Sequence, residues 1–201
     1  MTEPISPSTS RRAVLAGALG VGGGIALAAG SEDAALAAAV PQDAVCDYYL
    51  AIDGIEGGST ATRYPRTIEL LTWSFGDNLE TNAATGGMTA GRSHPTSLVF
   101  VAAQSMASPK LWLHVANGKM LHTATLNVVT KGERPLNSLT IKLEDLRIAS
   151  YHSAPDESDG LPLDVVHLDY RSLSFTQRSV NRLGAVVATT AGWDFHANAS
   201  L

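Results

Sequence analysis

The chain has 201 residues and a formal net charge of -5, with 45% hydrophobic and 16% charged residues. This length supports one domain with a sizeable core and leaves too little for two. The acidic balance, without any basic run, argues against nucleic acid or an anionic membrane surface as a partner. Because Cys46 is the single cysteine, an intrachain disulfide and a zinc ribbon are excluded.

The N-terminal segment has the layout of an export signal. Arg11 and Arg12 precede an apolar run, residues 13–29, and the alanine-rich stretch behind it offers a small-x-small cleavage site at Ala37 and Ala39. The apolar run is rich in glycine, so it is weakly hydrophobic and a poor helix former. Paired arginines before such a run indicate a twin-arginine signal.

We therefore predict that residues 1–39 are a cleaved twin-arginine signal and that residues 40–201 form the mature domain. An uncleaved anchor is the alternative, but the run is short and glycine-rich for a transmembrane helix. The expected destination is the cell envelope or the exterior, with no membrane attachment after signal removal.

One stretch indicates a long, bent strand. Leu139, Ile141 and Leu143 alternate with polar residues, as in a half-buried strand, and the apolar set then continues at Leu146 and Ile148. The change from odd to even positions would place the apolar side chains of one half of the strand on its solvent-facing side, unless a β-bulge near residues 144–145 absorbs the extra residue. Bent strands of this kind build small closed barrels. Two short strands meeting at a corner are the alternative.

A second stretch repeats the change of parity near residues 171–172. Its apolar residues are first even and then odd, namely Val166, Leu168, Tyr170, Leu173 and Phe175. A large inward face is predicted for Leu71, Trp73 and Phe75. Residues 76–95 have few large apolar residues and several glycines, which predicts a long loop that is either functional or disordered.

One short helix is predicted after residue 107. Ser108 is the expected N-cap, Pro109 stands in the first turn and Gly118 ends the helix. Leu111 and Val115 belong to its short apolar stripe.

No pattern of catalytic residues is apparent. None of the histidines forms a metalloprotease pair or has a cysteine at metal-ligand spacing; they are His94, His114, His122, His152, His167 and His196. Glu144 and Asp145 are adjacent, so a regular strand would point them to opposite faces, where they could not share a proton as an acid/base pair. There is also no Gly-x-Ser-x-Gly motif. The sequence therefore predicts a non-enzymatic protein without a cofactor or a metal.

Several blocks, in order along the mature chain, resemble the haemolysin-coregulated proteins, which form the inner tube of type VI secretion systems. The blocks are YLAIDGIEG at 49–57, IELLTWS at 68–74, ASPKL at 107–111, GK at 118–119, IKLED at 141–145 and GWD at 192–194. No single block is specific, whereas the ordered set is.

The resemblance implies a mainly β fold, an antiparallel two-sheet β-barrel of about six or more strands flanked by one short α-helix. It also implies homo-hexameric rings that stack into a hollow tube, with protein cargo in the lumen. One feature departs from the family pattern, because tube-forming members assemble in the cytoplasm and normally lack a cleavable signal. An exported monomeric carrier that kept the barrel is therefore the alternative. Arg63, Arg66 and Trp112 are the expected interface anchors.

Overall fold

The computed structural model of the chain describes residues 45–82, 89–156 and 160–201. Within these residues the protein has ten strands and one helix. The elements are β1 (Cys46–Ile52), β2 (Ile68–Ser74), β3 (Asp77–Asn82), β4 (Thr89–Pro95), β5 (Leu98–Ala103), α1 (Ser108–Asn117), β6 (Leu121–Thr130), β7 (Asn137–Pro155), β8 (Pro162–Val180), β9 (Val186–Asp194) and β10 (Ala199–Ser200).

Six of the strands close into an antiparallel barrel. Their order is β8, β5, β2, β1, β6 and β7, and β7 pairs back onto β8. Beyond the barrel, β9 pairs with β8, and the short β10 pairs with β9. β3 and β4 form a separate two-stranded sheet. The predicted mainly β barrel with one short helix is confirmed.

The β7 and β8 strands, of 19 residues each, form the longest hairpin of the fold. In β7 the core-facing positions change from odd to even numbers between Leu143 and Leu146. In β8 they change from even to odd numbers between Tyr170 and Leu173. Leu143 pairs with Leu173 and Leu146 pairs with Tyr170, so the two changes lie opposite each other. Both predicted changes of parity are therefore confirmed.

The predicted β-bulge near Glu144 and Asp145 is wrong in its position. Because β8 contains the same extra residue, the β7–β8 register does not shift there, and Asp145 adopts a left-handed conformation with φ of 50°. The register shift lies instead between Ile148 and Ser150. A bulge would place an extra residue in one strand only. Here β7 and β8 each contain one extra residue, and the two lie opposite each other.

The barrel interior is a single apolar core. Leu50, Leu70, Phe100 and Ile141 are fully buried, and Leu111 of α1 packs into the same cluster. Each buried side chain of this size stabilises the fold by roughly 1.5–3 kcal/mol relative to leaving it exposed. The core therefore holds both the barrel and the helix in place.

The face predicted for Leu71, Trp73 and Phe75 is divided between two clusters. Trp73 and Phe75 pack against the barrel core, as expected. Leu71 instead packs against a smaller cluster that contains Val101 and Val165. The cause is a register shift between β2 and β5 at this residue, which changes the face on which the following residues lie.

Residues 76–95, predicted as a loop, contain the β3–β4 hairpin. Its sequence is rich in small and polar residues. Because this hairpin is a sheet of its own, apart from the barrel, its strands do not need the apolar alternation by which strands are recognised.

The helix ends as predicted but begins differently. Gly118 has φ of 63° and its N–H bonds to the carbonyl of Val115, which terminates α1. The predicted N-cap is wrong, because Ala107 occupies that position and Ser108 is already helical. The Ser108 hydroxyl serves a different purpose, which is described below.

Replacing Trp73 with alanine tests the inward face of β2. The ring is half-buried, with its centroid 6.3 Å from that of Tyr48 and 6.1 Å from that of Phe75. We expect Trp73→Ala to lower the free energy of unfolding by about 2–4 kcal/mol in chemical denaturation. The matched control is Trp112→Ala, because Trp112 is 59% exposed, and its expected change is below about 0.5 kcal/mol. Equal losses in the two variants would contradict the assignment.

Candidate functional site

The residues that sequence reasoning examined for chemistry do not converge on one site. The six histidines lie on β4, α1, β6, β7, β8 and the segment after β9, at His94, His114, His122, His152, His167 and His196. Within residues 45–82, 89–156 and 160–201, no three histidine, cysteine or acidic side chains are placed to share a metal ion.

The adjacent acids of β7 take part in separate ion pairs. Glu144 pairs with Lys142 on its own strand, and Asp145 lies 3.7 Å from the Arg171 guanidinium on β8. All these side chains are largely exposed, so each pair stabilises the fold by only about 0–1 kcal/mol. Their arrangement suits a stabilised strand corner rather than a shared proton.

Arg171 also fixes the end of β9. Its Nη2 atom lies 3.0 Å from Asp194, whose carboxylate accepts hydrogen bonds at 2.8 Å from the backbone N–H groups of His196 and Ala197. The bond from Ala197, followed by that from Arg171, lowers the pKa of the Asp194 carboxyl. The arginine thus connects the corner of the β7–β8 hairpin to the turn between β9 and β10.

An apolar cavity of about 410 Å³ lies between the β2–β3 junction and the β8–β9 sheet. Phe75 and Phe175 line it, together with Tyr170 and Trp193. The Tyr170 hydroxyl and the Trp193 Nε1 atom are buried without a hydrogen-bond partner among the described residues. Burial, aided by the charges of Asp77 and Asp169, raises the pKa of Tyr170 to about 12. Both of these donor atoms therefore belong to residues that line the cavity.

A buried polar cluster anchors α1 to the barrel. The Ser108 hydroxyl donates to the Asp164 carboxylate and accepts a 2.9 Å hydrogen bond from the N–H of Ser105. The Tyr151 hydroxyl donates to the other Asp164 oxygen at 2.8 Å. Burial, followed by the hydrogen bond to Asp164, raises the pKa of Tyr151. A buried carboxylate needs such donors to offset its desolvation, so the helix is held in one position.

Sequence reasoning missed Asp164. It interrupts the otherwise apolar start of β8, between Leu163 and Val165. An acid inside a buried strand is the signal that could have identified it, because such a group requires hydrogen-bond donors nearby.

The three predicted interface anchors lie in two places. Arg63 and Arg66 are in the β1–β2 connection, where Arg63 donates to the carbonyl of Pro135 at 3.3 Å and Arg66 pairs with Glu56 at 3.0 Å. Trp112 is exposed on α1. All three can reach a partner, and their role in an interface remains a prediction.

The end of the β8–β9 hairpin projects beyond the barrel. Pairing with β7 ends at Gln177, so residues 178–188, called the arm below, pair only within the hairpin. Every residue from Ser179 to Ala191 is exposed. An exposed segment with this much apolar side chain is typical of an interaction surface.

The predicted export residues Arg11 and Arg12, and the predicted cleavage residues Ala37 and Ala39, lie outside the described residues. In the part of the chain that the structure describes, no helix has the length and hydropathy of a bilayer span.

Comparisons with known proteins agree on one family. The protein-family model described as "Type VI secretion system effector, Hcp" matches residues 49–177. Hcp1 from Salmonella typhimurium is 28% identical, with a TM-score of 0.65, over 78% of this chain and 99% of its own. Hcp2 from the same organism is 26% identical, with a TM-score of 0.55, over 76% of this chain and 98% of its own.

A further solved structure, described as a type six secretion system protein, shares the fold at 20% identity. Its TM-score is 0.72, and the likeness covers 77% of this chain and 99% of that one. Among the curated proteins, no match was found.

Replacing Asp164 with alanine tests the helix anchor. The change leaves the Ser108 and Tyr151 hydroxyls without their acceptor, so we expect the free energy of unfolding to fall by about 2–4 kcal/mol. The control is Glu56→Ala, which removes only the exposed pair with Arg66 and should cost about 0–1 kcal/mol. Denaturant titrations of both variants decide the point, and a loss for Asp164→Ala no larger than that for Glu56→Ala would refute the anchor.

Proposed function

Because the chain belongs to the Hcp family of type VI secretion systems, we propose that it is a non-enzymatic, ring-forming structural protein of the inner-tube type. The family match over residues 49–177, joined to a closed barrel with an exposed arm, carries this proposal. The described side chains offer apolar surfaces and anchoring contacts, which suit assembly rather than chemistry.

The proposed assembly is a homo-hexamer. The number six comes from the resemblance to the family, whereas the physical argument concerns closure. A head-to-tail contact between identical chains leaves no free interface once the rotation closes. Residues 40–201, with 12 basic and 16 acidic residues, carry a formal net charge of -4. This charge opposes the contact only weakly, because the Debye length is about 8 Å at physiological salt.

The lumen of such a ring is the proposed site for protein cargo, and stacking of rings would give a tube. The same family membership supports secretion of this chain out of the cytoplasm.

We further propose that the twin-arginine signal, with Arg11 and Arg12, directs the folded chain across a membrane before assembly. The supporting feature is the sequence itself, with paired arginines before a glycine-rich apolar run and small residues at Ala37 and Ala39. A chain exported in this way would assemble outside the cytoplasm, unlike the tube-forming members that it resembles.

Sedimentation of residues 40–201, from micromolar to sub-millimolar protein, tests ring formation. We expect one closed species of about six chains without any added ligand, because ring closure leaves no head-to-tail interface free for a further chain. A monomer at all concentrations would contradict the ring and would favour the exported carrier.

Substitution of both signal arginines tests the export route. Arg11→Lys combined with Arg12→Lys should leave full-length folded protein in the cytoplasm, because the twin-arginine pathway requires the arginine pair. Fractionation and immunoblotting measure the distribution, with the unsubstituted chain as the control. Normal export of the double variant would show that another route is used.

A further inference from the structure

The arm has one strand edge that no described strand covers. β9 pairs with β8 along its length, but on its other side only Asp194 and Trp193 pair with β10. The N–H of Asn181 bonds to the carbonyl of Ala185. In an antiparallel ladder, hydrogen-bonded pairs alternate with non-hydrogen-bonded pairs, so this bond determines which residues of β9 bond to β8. The odd-numbered residues of β9 therefore bond to β8.

The even-numbered residues of β9 direct their backbone groups away from β8. Gly192 confirms this alternation, because its carbonyl accepts the N–H of Leu201 on the outer side. Val186, Ala188 and Thr190 follow the same alternation and present their N–H and C=O groups outward. Such a row of backbone groups is a template for another strand.

This edge lacks the features that usually prevent pairing. Natural edge strands carry lysine, proline, a bulge or an inward charge, whereas residues 183–193 contain no charged residue and no proline. The β8–β9 register is also unbroken from Ser172 to Val180. The exposed apolar side chains of the arm are Val180, Leu183, Val186 and Val187, and Leu183 is 93% exposed.

The charge of the arm differs in sign from that of the chain. Arg178 and Arg182 are its charged residues, and no acid occurs between Asp169 and Asp194. The chain as a whole carries -5. A positive arm is therefore attracted to the body of another copy of this same chain.

From the open edge, the apolar side chains and the charge, we propose that the arm is the surface by which one copy binds the next. The bound partner is a second copy of this chain, and backbone pairing at the outer edge of β9 forms the contact. This inference rests on the proposed ring, in which each copy needs one surface that inserts into its neighbour.

Three variants of the full chain test the arm by sedimentation. Val187→Glu replaces an exposed apolar side chain of the arm with an acid, and Ala188→Pro removes an outward N–H while leaving the bonds to β8 intact. Leu161→Glu is the matched control, because Leu161 is 46% exposed and Val187 is 47% exposed. We expect both arm variants to raise the concentration at which half of the chains are assembled by at least about tenfold. Leu161→Glu should assemble like the unsubstituted chain.

The outcomes separate this inference from the proposed function. If the unsubstituted chain and both arm variants all form rings with the same midpoint, the arm contact is wrong and the ring stands. A monomeric unsubstituted chain would overturn the ring and the arm contact together. Loss of assembly in Leu161→Glu as well would show a general charge effect and would also overturn the arm contact.

Amide hydrogen exchange provides a second measurement that does not depend on variants. In dilute monomer, the N–H groups of Val187 and Thr189 should exchange slowly and those of Val186, Ala188 and Thr190 quickly. In the assembly, the second group should become protected by at least about tenfold, because it then bonds to the neighbouring strand. Unchanged exchange at these three residues in the assembled protein would overturn the edge contact.

Discussion

The fold depends on one constraint, the matching change of parity in β7 and β8. A one-residue slip in a single strand would have turned half of its apolar residues to solvent. Here each strand contains one extra residue, near Asp145 in β7 and near Arg171 in β8, and the two lie opposite each other. The ladder therefore keeps its register across the corner, and both halves of the hairpin face the core.

The continuous strand β8 positions several surfaces of the molecule. On one side β8 pairs with β5 up to Leu168 and with β9 from Ser172 onward, so its partner changes at the corner. Its first half carries Asp164, which anchors the helix. Its second half runs past the end of the β7 pairing and becomes the arm. The barrel, the helix and the proposed contact surface are thereby held in a fixed relation by β8.

The sequence predicted the features that depend on apolar periodicity, and it missed those that depend on pairing. The parity changes and the end of the helix at Gly118 could be predicted, because burial and the need for a positive φ act on single residues. The register shift before Ser150 depends on the partner strand, and the β3–β4 hairpin lacks apolar alternation. The projection of the arm was also not readable, because Val186 and Val187 have the composition of a buried strand. The assembly site was predicted only as scattered anchors, whereas the export signal rests on sequence alone.

The central claim is that this chain builds a closed ring through an arm that is exposed in the single copy. An electron cryomicroscopy reconstruction of the assembled chain, detailed enough to trace β9, tests it most directly. The account predicts a closed ring in which a neighbouring chain covers the outer edge of β9 at Val186, Ala188 and Thr190. A ring in which the arm projects freely into solvent would contradict it.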